Sequence, residues 1–308
     1  MGVMKRVTLR QLTVFAEVAR RLSFTAAANA LHLSQPAVTL QVKELEETCG
    51  ALLLERMGRR IFLTEAGREV AACAANVTGR LHETQERLDA LRGLKRGLLK
   101  VGAVSTAKYF VPSLLAAFTP SYPGVTARFS IGNREETIRH LAENEIDLAI
   151  MGRPPREIET VAEPFAKHPL IIIAAPSHPL AGKRRVPLKK LEGENLLIRE
   201  EGSGTRASLE RVFKQAQVAY RASMEVSSNE TIKQAVIAGM GISFLSAHTV
   251  GLELKARKLV ALHVAGLPVL RDWYVIYRKD KRLSPIAAAF RAFLIENGSR
   301  IIARAVGG

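Results

Sequence analysis

Two short helices and a tight turn are written into residues 23–46, Ser-Phe-Thr-Ala-Ala-Ala-Asn-Ala-Leu-His-Leu-Ser-Gln-Pro-Ala-Val-Thr-Leu-Gln-Val-Lys-Glu-Leu-Glu. Ser23 is placed to cap the first of them. Its inner face is Phe24, Ala27, Ala28 and Leu31, and the alanines permit close helix-to-helix approach. Ser34 caps the second helix, and Pro36 falls in its first turn, where a missing N–H costs little. Val38, Val42 and Leu45 then point inward, while Gln35, Pro36, Thr39 and Lys43 share the opposite side. A preceding helix presents Leu9, Leu12, Phe15, Ala19 and Leu22 at helical spacing. This is the pattern of a helix-turn-helix whose second helix lies in a DNA major groove. The polar side carries the matching chemistry. Gln pairs with an adenine edge, Thr and Pro offer apolar contact to a thymine methyl, and Lys reaches guanine or phosphate. Thr25 joins these DNA-facing candidates. The competing reading is a small structural three-helix unit with a solvated polar face.

Residues 52–63 place two apolar runs around Gly58, which predicts a β-hairpin. Arg56, Arg59 and Arg60 near its tip face the DNA backbone or minor groove if the hairpin is a wing, and are merely solvated if it is not. Thr64 then caps a helix that runs to about Arg92. Val70, Ala74, Val77, Leu81, Thr84, Leu88 and Leu91 alternate steps of four and three along it, a heptad seam that implies a partner helix. Its span of roughly 40 Å leaves that seam little else to pack on, so a homodimer is expected, with packing on the chain's own C-terminal domain as the alternative. The expected boundaries are 1–64 for the DNA-binding domain, 65–92 for the linker helix, 93–97 for a Gly- and charge-rich hinge, and 98–308 for a second domain.

The formal net charge is +16, which by itself suggests a polyanion partner. Through Arg92, however, 13 basic residues face 10 acidic ones, so most of the excess lies beyond the proposed DNA reader. It suits an anionic small ligand there, or simply a basic solvated surface. No apolar h-region follows the N-terminus and no uninterrupted apolar run is long enough to span a bilayer, so a cytoplasmic protein without membrane contact is expected. Cys49 and Cys73 lack metal-type or CxxC spacing and read as reduced thiols, with a redox switch as the remote alternative.

Beyond the hinge, strand-like runs at 98–104, 125–131, 146–151, 170–175, 195–198, 222–226, 241–245, 260–264 and 273–277 alternate with helical stretches at 107–121, 135–143, 205–217, 229–238 and 284–296. This predicts an α/β domain with mainly parallel sheets in two lobes. Lobe I is expected at 98–166 and 270–308 and lobe II at 167–269, joined by crossover segments near 163–169 and 266–271. Ligands of such folds bind where strands end and helices begin. Four such junctions carry small polar residues: Ser105 and Thr106, Asn133, the run Ser203-Gly204-Thr205-Arg206, and Asn229. Hydroxyls, helix-start N–H groups and Arg206 make an anion receptor, although Gly and hydroxyl residues are also plain turn formers. The sequence contains no HExxH, GxSxG or Walker A motif, and His178 and His263 read as ordinary surface or packing residues, so no enzyme and no cofactor is expected. A secreted solute-binding protein shares the second domain's pattern but not the helix-turn-helix.

Leu9-Arg-Gln-Leu12, Ser34-Gln-Pro-Ala-Val38 and Phe62-Leu-Thr-Glu-Ala-Gly67 resemble the LysR-type transcriptional regulators, and the likeness extends over nearly the whole chain. Asn144-Glu-Ile-Asp-Leu-Ala-Ile-Met-Gly-Arg-Pro-Pro155, Glu201-Gly-Ser-Gly-Thr-Arg206, Ser227-Ser-Asn-Glu230 and Arg271-Asp-Trp-Tyr-Val-Ile-Tyr277 are similar to the CbbR-type subgroup, which controls RuBisCO and Calvin-cycle operons in autotrophic bacteria. The resemblance implies a winged helix-turn-helix, a linker helix and a two-lobed effector domain similar to periplasmic binding proteins, assembled as a tetramer of two dimers. It implies activation of carbon-fixation genes through RNA polymerase in response to a phosphorylated metabolite or NADPH. A LysR-type regulator of another pathway, such as aromatic catabolism, is the alternative. By correspondence, Ser34, Gln35, Pro36 and Thr39 touch bases and nearby phosphates, and Ser105, Thr106, Asn133, Ser203 and Thr205 surround the cleft between lobes. Lys108 and Arg206 are added as charge partners for the effector. Cys49 ahead of Gly50 departs from the pattern without an evident role, and the run Lys183-Arg-Arg185 reads as a solvated loop.

Overall fold

The computed structural model describes residues 6–58, 60–91 and 96–306. Arg59 and most of the expected hinge, 93–95, lie outside them. The chain divides into two compact units, one running to Leu88 together with Glu143–Glu145, the other made of the remaining C-terminal residues.

The N-terminal unit contains α1 (Leu9–Arg21), α2 (Phe24–Leu31), α3 (Gln35–Cys49), a hairpin of β1 (Leu54–Met57) and β2 (Arg60–Leu63), and α4 (Glu65–Leu91). Each helix start is satisfied by a side chain. Thr8 and Gln11 form a reciprocal capping box on α1, Ser23 Oγ accepts from Ala26 N at 3.2 Å, and Ser34 Oγ accepts from Ala37 N at 3.4 Å. Leu22 and His32 end α1 and α2 in the left-handed conformation and so make the sharp turns between helices. Val14, Phe15, Val18, Ala27, Ala28, Val38, Val42, Leu45 and Leu53 close one core. The expected apolar face of α1 is corrected at both ends. Leu9 and Leu22 are exposed, and the buried stripe is Gln11, Leu12, Val14, Phe15 and Val18.

Glu46 Oε1 accepts from Leu53 N (2.8 Å) and Leu54 N (3.2 Å), which fixes the hairpin to α3. Thr64 both donates to Leu52 O (2.7 Å) and caps α4 through Gly67 N (2.9 Å). The first turns of α4 belong to the DNA-binding core, since Ala66, Val70 and Ala71 pack against it. Farther along, Val77, Leu81 and Leu88 are 37%, 49% and 46% exposed. The side chain of Leu91 lies outside the described set.

The C-terminal unit runs β3 (Arg96–Val104), α5 (Val111–Phe118), β4 (Gly124–Gly132), α6 (Arg134–Ala142), β5 (Leu148–Met151), β6 (Thr160–Ala174), β7 (Asn195–Arg199), α7 (Gly204–Gln215), β8 (Arg221–Val226), α8 (Asn229–Ile237), β9 (Ile242–Ser246), α9 (Gly251–Lys255), β10 (Val260–Ala261), β11 (Val269–Arg278) and α10 (Pro285–Val306). Strand order is β4-β3-β5-β11-β6-β9-β7-β8, with β10 on β6. Two parallel triplets, β4-β3-β5 and β9-β7-β8, flank an antiparallel pair, β6 with β11.

The expected crossover segments fall on that central pair. The segments 163–169 and 266–271 are not plain connections: β6 covers the first, and β11 begins within the second. Both strands run unbroken through the expected lobe boundaries. Pro164 and Pro169 fall within β6 although proline cannot donate to a ladder. The ladder absorbs Pro164 at a register shift between Trp273 and Tyr274. Further differences are local. Residues 262–264 are not strand, α9 was not foreseen, and α10 extends ten residues past the expected Glu296.

Lobe I closes on Leu99, Val101, Phe110, Leu114, Leu148, Ile150, Trp273, Phe290 and Leu294. Lobe II closes on Leu170, Ile172, Leu196, Ile198, Leu209, Phe213 and Phe244. No described helix is long and apolar enough to cross a membrane.

Candidate functional site

On the N-terminal unit, α3 exposes Gln35, Pro36, Thr39 and Lys43 on the side opposite buried Val38, Val42 and Leu45. The spacing 35, 39, 43 aligns three side chains along one helical ridge. Thr39 Oγ1 donates to Gln35 O at 3.0 Å and Lys43 lies 3.8 Å from Glu47, so neither is locked away from a partner. Thr25 and Ser34 are exposed beside this ridge. On the hairpin, Arg56 pairs with Ile61 and Arg60 with Met57 across the ladder, both arginines exposed, with Gly58 at φ +62° in the turn. Leu40, 54% exposed on α3, adds an apolar side chain to the surface of this helix.

Within the C-terminal unit, Ser105, Thr106, Asn133, Ser203, Gly204 and Thr205 line one open cleft. They come from the ends of β3 and β4 and from the start of α7, where strand ends and a helix N-terminus converge. Ser203 caps α7, its Oγ accepting from Thr205 N at 3.3 Å, so the positive end of that helix's dipole lies at the cleft. Asn133 Oδ1 accepts from Glu136 N at 2.8 Å, which orders the start of α6.

Nine further lining residues were not foreseen, among them Arg134, Gly152, Arg153, His168, Arg199 and Arg271. Arg199 is buried. It donates to Asn229 Oδ1 (2.6 Å), to Ser105 Oγ (3.1 Å) and through two nitrogens to Glu200 (2.7 Å each). It thereby ties lobe II to Ser105 of lobe I. Arg271 donates to Ser208 Oγ (2.5 Å), Gly204 O (3.3 Å) and Gly152 O (2.6 Å). Arg134 donates to Arg153 O (2.7 Å) and meets Glu157 at 3.6 Å. Burial weakens the hold of Arg271 on its proton, and Arg211, Arg153 and Arg134 nearby weaken it further. Burial acts the same way on Arg134, opposed by Glu157 and reinforced by Arg153. A half-buried cluster of like charges favours an anion that offsets it.

Three expected effector residues are placed otherwise. Lys108 is bonded to Glu230 Oε2 at 2.7 Å, while Tyr109 donates to Glu230 Oε1 at 2.7 Å. Burial alone would raise the Glu230 carboxyl, but these bonds and Lys233 bring it down to about 2. Arg206 is paired with Glu210 (2.8 Å) and Glu225 (2.7 Å). Asn229 is buried and spends its carbonyl on Arg199. None of the three lines this cleft; Arg206 borders an adjoining one. The sequence holds a signal for some of the missed cations: Arg134, Arg153 and Arg199 end strands or follow them within two residues. His168 and Arg271 lay in segments that read as crossovers.

A helix-turn-helix with a basic hairpin on one unit, and a cation-lined cleft at strand ends in the other, define a DNA-binding regulator with a small-molecule sensor domain. Residues 9–68 match the bacterial regulatory helix-turn-helix proteins of the lysR family, and residues 92–299 match the LysR substrate binding domain. The chain belongs to the LysR family of transcriptional regulators. It is 47% identical to the RuBisCO operon transcriptional regulator of Allochromatium vinosum, over 97% of this chain and 99% of that one. It is similar to the regulatory domain of Synechocystis PCC6803 CcmR in complex with 2-PG (40% identity, TM-score 0.63, 65% of this chain and 97% of that one). It is also similar to full-length CbnR complexed with its target DNA (26% identity, TM-score 0.67, 94% and 99% covered).

Proposed function

We propose that this chain activates carbon-fixation genes, a RuBisCO operon foremost, when a small phosphorylated or carboxylated metabolite fills the cleft lined by Arg134, Arg153, Arg199 and Arg271. The observation that carries the reading is the convergence of these guanidinium groups with the α7 N-terminus and the hydroxyls of Ser105, Thr106, Ser203 and Thr205. The near full-length likeness to a RuBisCO operon regulator and the 2-PG bound to the CcmR domain support it. The chain is no enzyme and needs no cofactor; it acts in the cytoplasm.

Two copies pair through the exposed seam of α4, Val77, Leu81 and Leu88, and two dimers form a tetramer. Paired α3 helices read half-sites about one helical turn apart, and the tetramer bends the DNA between two such sites. A metabolite that binds one lobe arrangement better shifts that bend and opens the promoter to RNA polymerase. DNase footprinting on the promoter of a divergent RuBisCO operon, with and without 2-PG, tests this. An extended footprint that contracts with the metabolite is expected. An identical footprint and bend for every anion tried would undo the coupling, and preferential binding beside aromatic-degradation genes would reassign the pathway.

A further inference from the structure

At the floor of the cleft lies a histidine that the contacts described so far leave unused. His168 on β6 is 4% exposed, lines the cavity, and among the described residues neither of its ring nitrogens has a hydrogen-bond partner. A buried polar group without a partner costs free energy that a ligand atom in the cavity can restore. Gly152 leaves the approach open: a Cβ there would lie 2.7 Å from His168 Nδ1 and 3.1 Å from its Cε1. The ring is held from behind. It stacks on Trp273 with centroids 3.9 Å apart and planes at 19°, and Trp273 Nε1 donates to His248 Nδ1 at 3.0 Å. Phe110 packs edge-on against the same indole, at 5.0 Å.

The charges around the ring set its form. Burial first, then His248 from the turn after β9 and Arg271 from β11, push its pKa well below 6.5. His168 is therefore neutral at physiological pH, with one N–H to donate and one lone pair. Arg271, also lining the cavity, supplies the cation that draws an anion there.

We propose that His168 is an effector-binding residue, its neutral imidazole donating to a phosphate or carboxylate oxygen of the bound metabolite and reporting that contact through Trp273 and His248. This rests on the reading of the cleft as the effector site. Trp273 is the single tryptophan of the chain, so its fluorescence reports on this stack alone.

The full chain is titrated with 2-PG, and separately with inorganic phosphate, while Trp273 emission is followed. A saturable change is expected for the wild type. His168→Phe keeps an aromatic ring against Trp273 but has no donor, and is expected to bind at least about 10-fold more weakly, the loss of one hydrogen bond to a charged group. His168→Gln, which keeps a donor, is expected to recover part of that loss. Equal affinity in the wild type and His168→Phe, measured by calorimetry as well as fluorescence, overturns the role of His168 and leaves the cleft reading intact. No binding of either anion by the wild type overturns both. Should the variants not fold, nitrogen NMR of the histidine-labelled wild type decides: 2-PG is expected to move the ring resonances of a histidine that stays neutral in mild acid, and saturation without such a shift overturns the proposal.

Discussion

Replacing Arg199 with methionine is expected to destabilise the C-terminal unit severely. Arg199 is 3% exposed, and its guanidinium serves Asn229, Ser105 and both oxygens of Glu200. Methionine fills part of the volume but leaves the Glu200 carboxylate and the Asn229 carbonyl without their donor. Removing one member of a buried ion pair costs about 3–5 kcal/mol, and partial exposure of Glu200 places the expected loss near the lower end, about 3 kcal/mol. Ser105→Ala removes only the bond from Arg199 to lobe I and is expected to cost about 1 kcal/mol, with a blunted metabolite response. Urea titration of the purified protein, followed by Trp273 fluorescence and by circular dichroism, measures both. Arg199→Lys keeps the charge but not the fork, and should fall between Arg199→Met and the wild type. A loss below about 1 kcal/mol for Arg199→Met would refute the argument, because an uncompensated carboxylate beside the cleft could not then be so inexpensive.

Gln35→Ala on α3 should relax sequence choice by about 1–3 kcal/mol per half-site, whereas Arg60→Ala should weaken all DNA equally and flatten the salt dependence; gel-shift titrations at several salt concentrations separate the two. Leu81→Glu, at the exposed middle of the α4 seam, should abolish the dimer in sedimentation while leaving the melting of each unit in place. Stability should also depend on pH in a defined direction. Burial lowers the His248 imidazole from 6.5 to about 4. The unfolded chain therefore binds more protons between those values, so stability is complete above about pH 6.5 and falls as pH drops toward 4, by about 3 kcal/mol from this group. Buried His168 acts in the same direction. Equal urea midpoints at pH 7 and pH 4.5 would contradict this.

Much of the N-terminal unit was legible in the sequence because its determinants are local. A Ser cap acts on N–H groups three residues away, and a helix face repeats within a few residues, so Ser23, Ser34, Val38, Val42 and Leu45 declare their places directly. The α/β alternation was legible for the same reason, as were the small polar residues at strand ends that border the cleft. What the local pattern could not express was pairing between distant segments. Whether Pro164 and Pro169 interrupt a strand or sit within one depends on β11, a hundred residues later, which pairs Leu270 with Pro169 and takes up Pro164 at the register shift between Trp273 and Tyr274.

The same limit governed the cleft. A lysine or arginine beside a turn carries its charge in the sequence, but whether that charge is free is decided by which carboxylate folds against it. Lys108 meets Glu230, and Arg206 meets Glu210 and Glu225, so both are already compensated. Arg271 meets only a hydroxyl and two carbonyls among its described hydrogen bonds, and His168 meets an indole face. The amino-acid order thus determined which helices form and which of their faces are polar, since those follow from contacts a turn apart. Only the tertiary structure decided which cations remain uncompensated at the cleft, because Coulomb attraction and desolvation depend on distances in space that the chain reaches by long-range pairing.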